Sequence, residues 1–498
     1  MSTAMSTRSE TSHCNRNKAF PALVLLVLGF AVLYVLTAQR GVSWGDSGLF
    51  QRRIMDCDLT GSGGLALAHP LYVATAHLVT RFVPVSMQAW LINALSGLWG
   101  ALAVGGMFAC ALRLAHSVRA AIIAAVSLGC AHMFWWLSSM SEVYTLSVLL
   151  LACEVYCLTT AIQKCSPLPL AVAFLANGVH FSVHNFALLS IPVEVTAAVW
   201  LLAKTQAGRR SVAACTLGCG LVAWFAGASP ILSLAVGRLS ATGSIAATMT
   251  DILVGGYGSA VSGESGAPLR VTLFNLALAA MSFTLPCWIA AARNVFFSGC
   301  RPRSKPRAEV LFLSAVLLVH FAFWIRYRVS DQATFVLPTL FMAILLASPL
   351  FRNVRRPLIW ACATLASAIA VPCVATAVMS SSADMLLRSR GELPFRDDLR
   401  YFALPWKHDE NSAMRFVAAA AKELPPGALL LVDSTVEGPL AAAARLGMLP
   451  NGIRLSSTVP DRPLSKTCWE VRPYGAYRIS PPEAKVARRG TFYEVILP

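Results

Sequence analysis

Long apolar runs dominate this chain and decide what it can fold into. The first, from about Phe20 to Ala38, carries no charged residue, and about 20 such residues suffice to cross the hydrocarbon core of a bilayer. Water is absent there, so each run must satisfy its own backbone groups by forming a helix. Further spans are expected at about Gln88–Leu112, Ala120–Leu137, Val143–Ile162, Leu168–Asn185, Phe186–Ala203, Val212–Val236, Leu269–Ala291, Val310–Trp324, Ala333–Leu350 and Leu358–Met379. The predicted fold class is an α-helical polytopic membrane protein of about eleven crossings. Composition agrees: 56% of residues are hydrophobic and 13% charged, and the mean hydropathy of +0.62 excludes a soluble protein of ordinary surface chemistry.

A net charge of +17 could suggest nucleic acid, but the basic residues sit in short loops between spans. Arg113/Arg119, Lys164, Lys204/Arg209/Arg210, Arg293/Arg301/Arg303/Lys305/Arg307 and Arg352/Arg355/Arg356 all fall on the side of the N-terminal tail. That is the positive-inside pattern of a cytoplasmic face, so no nucleic-acid partner is expected. Residues 1–18 read as a disordered cytoplasmic tail and 19–379 as the transmembrane domain, with a first outer loop at 39–87. The Arg238–Pro268 loop also falls outside. His69–Phe82 is too short to span and reads as an interfacial helix opened by Pro70. Beyond about Ser380 charges, Pro and Gly return. Residues 380–498 read as an extracytoplasmic α/β domain with helices at Ala413–Glu423 and Pro439–Leu446 and strands at Ala428–Val432 and Thr491–Leu497.

Most of the fourteen cysteines lie inside apolar runs, as small apolar residues. Cys57 and Cys468 would both be extracytoplasmic, so a disulfide between them is open.

Polar chemistry concentrates in Gly41–Tyr72, which holds Asp46, Asp56, Asp58, Arg52, Arg53 and His69. Ionisable groups at a membrane boundary are costly unless they face water, a substrate or each other. Asp46, in Trp44-Gly45-Asp46-Ser47-Gly48, is ionised at neutral pH and can accept a proton from a hydroxyl nucleophile. Its plainer reading is a helix N-cap. Arg52 and Arg53 could hold a phosphate or snorkel to headgroups, and His69 could orient substrate or cap the following helix. Glu142 and Tyr144 open the fourth span; with Trp135 and Trp136 they would line the outer mouth of a cavity. His180 and His184 share a helix face at i, i+4; hydrogen-bonded helix-end residues come first, substrate contact next and zinc last. Arg326 and Arg328, around Tyr327 and before Asp331, could grip a lipid-linked phosphate or form an interface belt.

Taken in order, Trp44–Gly48, Ala68-His69-Pro70-Leu71-Tyr72, Ser141-Glu142-Val143-Tyr144-Thr145-Leu146 and Tyr327–Asp331 with Pro338 resemble a known family. It is the bacterial multi-spanning family related to the animal transmembrane protein O-mannosyltransferase, itself similar to the GT-C class of glycosyltransferases. The resemblance covers roughly Trp44–Leu350. It implies a GT-C fold in a bacterial inner membrane, a polyprenyl-phosphate sugar donor and an acidic base in the first outer loop, the position of Asp46. His69 and Glu142 fall on matching motif positions. The chain departs from the family at Leu49, where a second acid is usual, and in a shortened Ala-His-Pro stretch.

The mechanism so implied is an inverting transfer of a mannose-like sugar to a hydroxyl of a protein or glycan acceptor. Arg52, Arg53, Arg326 and Arg328 would hold the departing phosphate, and membrane lipid would surround the polyprenyl tail. No cofactor is called for, and nothing visible requires a metal. A flippase or transporter of a lipid-linked substrate would instead place charges near mid-membrane and repeat its architecture. A non-catalytic envelope assembly protein would put its function in the outer domain.

Overall fold

The computed structural model describes residues 3–61, 63–257, 269–297, 307–379, 393–460, 467–473 and 478–498. Helix α1 runs Thr3–Thr37. The expected tail therefore continues the first span: neither Pro nor Gly interrupts 3–19, so nothing stops the helix. The first loop contributes α2 (Gly45–Asp56) and α3 (Pro70–Thr80). Then come α4 (Val85–Ala115), α5 (Val118–Gly129), α6 (His132–Ser138), α7 (Tyr144–Lys164), α8 (Pro167–Phe181), α9 (Ala187–Lys204) and α10 (Arg210–Thr242). They are followed by α11 (Ile245–Leu253), α12 (Leu269–Ser282), α13 (Leu285–Phe297), α14 (Ala308–Arg326), α15 (Leu337–Ala347) and α16 (Pro357–Met379).

The chain is a multi-pass membrane protein. Among the described residues eight helices are long and apolar enough to cross a bilayer, or nine if α5 and α6, bent by 65° at their break, form one span. Fewer than eleven meet that length because α8 and α12 are short. The expected single span Leu269–Ala291 divides where Pro286 opens α13, having no N–H to continue the preceding helix. The expected outer loop from Arg238 is helical as far as Leu253 apart from a break at Gly243–Ser244, and residues 258–268 and 301–305 lie outside the described residues. Glycine permits a close helix crossing in the bundle: a β-carbon at Gly178 of α8 would stand 2.2 Å from the Trp224 carbonyl of α10.

The C-terminal unit holds α17 (Asp398–Ala403), α18 (Ser412–Glu423), β1 (Leu429–Leu431), α19 (Ser434–Arg445), β2 (Arg454–Ser456), β3 (Thr467–Glu470), β4 (Lys485–Arg489) and β5 (Phe492–Ile496). The sheet order is β2-β1-β3-β5-β4, parallel about β1 and antiparallel about β5. Helix α19 starts earlier than expected because Asp433 caps it, accepting from the Thr435 amide at 2.8 Å and the Val436 amide at 3.3 Å. Cys57 is exposed and Cys468 wholly buried, and both are free thiols, so they do not pair.

What fixes the first loop is a buried amide network. Asn93 of α4 donates through Nδ2 to the Gln39 carbonyl at 2.9 Å and the Gly41 carbonyl at 3.1 Å. Its Oδ1 accepts from the Ser141 amide at 3.0 Å and from Gln51 Nε2 at 3.1 Å. Gln51 Oε1 in turn accepts from the Ser43 amide at 3.0 Å. These side chains are fully buried, where an unsatisfied polar group costs about 1–3 kcal/mol. Asn93→Ala is therefore expected to lower stability by about that amount for each group it orphans, read as a clear fall in thermal midpoint in detergent. Asn93→Asp, which sets an acceptor oxygen in place of the donor facing the Gln39 and Gly41 carbonyls, should fall at least as far as the alanine variant at neutral pH.

Candidate active site

Asp46 lies in the first turn of α2, where the helix dipole favours a negative charge. The turn begins at Gly45 with φ +58°, a conformation that favours glycine. Just before it Trp44 is anchored: its Nε1 donates to Ser412 Oγ at 2.8 Å and its ring packs on Phe416 with centroids 5.1 Å apart. The plainer reading of Asp46 as a cap is not what forms, since the cap position is Trp44 and has no side-chain cap bond. Among the described residues no hydrogen bond reaches the Asp46 carboxylate. Its side chain is exposed, yet protein surrounds it closely enough that loss of bulk water raises its pKa. Asp46 is thus a solvent-accessible carboxylate in a partly desolvated setting.

Glu142 closes the other side. Ser47, next to Asp46, donates its hydroxyl to Glu142 Oε1 at 2.5 Å. The Glu142 backbone is gripped twice by Ser96, whose Oγ accepts from the Glu142 amide at 3.0 Å and donates to its carbonyl at 3.2 Å. Tyr72 adds a hydroxyl contact to Ser141 Oγ at 3.1 Å. Burial, then the charges of Asp46 and Asp331, push the Glu142 carboxyl up to about 8, against the pull of the Ser47 bond. Three acids from distant parts of the sequence thus share one electrostatic field. Asp331 also lines a cleft of about 30 Å³ with Trp136, Thr334 and Phe402, room for about one water. A larger cavity, about 340 Å³, lies at the starts of β1 to β3 between Gly427, Arg454 and Trp469, and none of these acids lines it.

Two imidazoles stack beside the acids. His69 holds a left-handed backbone at φ +46°, uncommon outside glycine, and its Nδ1 donates to the Val183 carbonyl at 2.7 Å. Since a carbonyl only accepts, the ring proton sits on Nδ1 and Nε2 keeps its lone pair. His184 is the opposite tautomer, because its Nδ1 accepts from the Phe186 amide at 3.1 Å. The rings lie 5.2 Å apart at 25°, and Tyr144 packs on His184 at 5.4 Å. Burial pushes His69 down to about 4 and His184 well below the usual range, so both are neutral at neutral pH.

Other predicted residues go elsewhere. Arg53 is a loop brace: it donates to the carbonyls of Asp58 at 3.3 Å, Leu67 at 3.1 Å and Ala68 at 2.5 Å, and lies over the Phe50 ring. Arg52 is exposed and ion-paired with Asp56 one turn on, at 3.1 Å. His180 turns inward, its Nδ1 on Glu154 Oε1 and its Nε2 on Ser147 Oγ, both at 2.6 Å. With both nitrogens used it has nothing left for substrate or zinc, and it shares no ligand face with His184. Trp135 is core, donating to Thr37 Oγ1 at 3.0 Å. Arg326 and Arg328 are exposed on either side of the buried Tyr327. Sequence reasoning missed Ser47 as the partner of Glu142, and the whole contribution of α17, α18 and α19. Residues far apart in sequence leave no local signal for such pairings.

Residues 65–207 match the model of the Protein O-mannosyl-transferase TMEM260 N-terminal domain. The mouse Protein O-mannosyl-transferase TMEM260 is 29% identical over 136 residues. This segment is similar to that family. The similarity spans 26% of this chain and only 18% of the mouse protein. The matched stretch includes His69, Glu142, Tyr144 and His184, while Asp46 and Asp331 lie beyond it. In fold the chain is similar to ArnT from Cupriavidus metallidurans bound to undecaprenyl phosphate, with a TM-score of 0.59 at 16% identity over 95% of this chain and 97% of that one. The apo ArnT structure gives 0.52 at 16% identity, covering 96% and 98%. The fold is therefore the GT-C fold of ArnT, and the TMEM260-like segment is one part of it.

Glu142 should make the stability of this protein pH-dependent. Its folded value, about 8, lies above the ordinary 4.5, so between these limits the unfolded chain ionises first and holds fewer protons. Stability should fall as pH rises from about 5 to 8. Glu142→Gln should flatten that part of the profile, measured as thermal midpoint in detergent.

Proposed function

We propose that this protein is a membrane glycosyltransferase that moves a mannose-like sugar from a polyprenyl-phosphate donor to a hydroxyl of a protein or glycan acceptor, at the extracytoplasmic face of a bacterial inner membrane. Asp46 is the base. It takes the acceptor's proton as the oxygen attacks the anomeric carbon, the bond to phosphate breaks with inversion, and polyprenyl phosphate leaves with the bonding electrons. The observation that carries this reading is Asp46 itself: a carboxylate held by its neighbours but hydrogen-bonded to none of the described residues, open to solvent, in a GT-C fold. General-base catalysis of this kind supplies about 10²–10⁴ in rate.

The surroundings fit this chemistry. Neutral Glu142 would keep a second full charge away from the donor phosphate while supplying an O–H donor. Stacked His69 and His184 would offer one acceptor and one donor nitrogen, a match for sugar hydroxyls. Arg326 and Arg328, exposed and close in sequence to Asp331, are the candidates for the phosphate. Undecaprenyl phosphate, the ligand of the ArnT structure, is the form of lipid carrier this reading expects. Buried Glu154 and Glu194 do put carboxyl groups inside the bundle, as a transporter would, but Glu154 is tied to Asn177 and His180 and the aligned fold is that of ArnT.

The test offers undecaprenyl-phosphate-linked labelled sugars to the purified protein in membranes and follows label into protein and glycan fractions. Asp46→Asn is expected to lose about 10²-fold or more; full transfer by that variant would refute the base assignment. Glu142→Gln should retain activity at pH 7 and lose the decline that ionisation near pH 8 imposes on the parent. A membrane-impermeant maleimide should label exposed Cys57 in intact spheroplasts, and labelling only after lysis would reverse the proposed orientation.

A further inference from the structure

Helix α19 carries Gly438-Pro439 in its interior, two residues that cost a helix about 1 and 3 kcal/mol relative to alanine. Gly438 does not have a positive φ, so the backbone does not require glycine there. Space does. A β-carbon on Gly438 would stand 2.1 Å from the Gly45 carbonyl oxygen and 3.1 Å from the Gly45 nitrogen. The contact is reciprocal: a β-carbon on Gly48 would meet the Ser43 oxygen at 2.3 Å and the Gly438 carbonyl carbon at 2.5 Å. All of these obstacles are backbone, and no side chain can rotate aside. Asp46 lies between Gly45 and Gly48, on the turn these contacts define.

The rest of the C-terminal unit holds the same helix. Ser412 of α18 accepts from Trp44 Nε1 at 2.8 Å. At the far end of α2, Arg445 Nε donates to Asp56 Oδ1 at 2.6 Å. Met414 packs so closely that a β-carbon on Gly41 would lie 2.5 Å from its Cγ.

We propose that Gly438 is a positioning residue for Asp46: its bare Cα seats α19 on the first turn of α2 and sets the direction of the carboxylate. The C-terminal unit is thereby a working part of the active site, although it supplies no reacting group. This inference rests on Asp46 being the base. A methyl wedge at Gly438 would displace the turn, and about 1 Å of misplacement can cost up to about 10² in rate.

Gly438→Ala is the test, because alanine improves the intrinsic helix propensity of α19 and can harm only the docking. With undecaprenyl-phosphate [14C]mannose as probe in membranes, kcat should fall about 10- to 100-fold, with the donor KM within about threefold and the acid limb of the pH profile shifted. Hydrogen–deuterium exchange should quicken in the Trp44–Phe50 amides. Parent-like kcat, pH profile and exchange in a folded Gly438→Ala protein would overturn the proposal. Should that variant fail to accumulate or the probe not be turned over, Ser412→Ala and Arg445→Ala remove clamp contacts without adding atoms; unchanged exchange in 44–50 in both overturns it equally. Asp46→Asn run alongside separates the two ideas. Activity there refutes the base, whereas an inactive Asp46→Asn with a parent-like Gly438→Ala refutes the positioning alone.

Discussion

The amide of Asn93 joins three stretches of backbone that would otherwise move independently. One end satisfies the carbonyls that follow α1, and the other takes the Ser141 amide one residue before Glu142. Because the side chain is wholly buried, each of these bonds replaces water that cannot enter, and breaking one leaves an uncompensated group. Asp46 and Glu142 are therefore referenced to the same point on α4, though 96 positions separate them. The buried Ser47–Glu142 bond completes the connection.

Holding acids this close has an electrostatic consequence. Asp46, Glu142 and Asp331 repel one another when ionised, and burial amplifies the repulsion by removing solvent screening. The arrangement resolves by differentiating them. Glu142, buried and hydrogen-bonded, yields its charge first, with its carboxyl at about 8. Asp46 keeps access to solvent and a helix N-terminus. Two carboxyls pushed apart in this way can take different parts in one proton transfer, which a single acid in the motif would not permit. Leu49 stands where the related family usually has a second acid, and Glu142 reaches the same region from another helix.

The C-terminal unit matters to the site through packing. Segments at Asp398–Ala403 and beyond lie under the cleft: Trp136 Nε1 donates to the Tyr401 carbonyl at 3.0 Å, and Lys407, almost fully buried, caps carbonyls of Tyr401 and Leu404. Burial pushes that ammonium down to about 7, and the rings of Trp136 and Tyr401 beside it support whatever charge it keeps. A fold shared with ArnT at 16% identity can keep its helices through apolar pattern alone. The fit between its two parts must be re-made in each chain, here through Gly48 and Gly438.

By itself the sequence determined the membrane helices, because a run of apolar residues in lipid has no alternative to satisfying its own backbone. It also determined where polar chemistry gathers, since charges at a membrane edge need a reason, and so Asp46, Glu142, His69 and His184 were legible as candidates. The C-terminal helices and the strand of β1 were legible from periodicity, while β2 to β4, short and exposed at Lys485–Arg489, gave no apolar pattern to read. Tertiary structure alone decided what each polar residue does. Arg53 and His180 look like ligands in one dimension and are used up by carbonyls, Glu154 and Ser147 in three. Conversely Gly438, which reads as a helix defect, packs directly on the backbone of the turn that carries the candidate base. Hydrogen-bond capacity and free volume are settled by neighbours distant in the chain, and local sequence does not encode them.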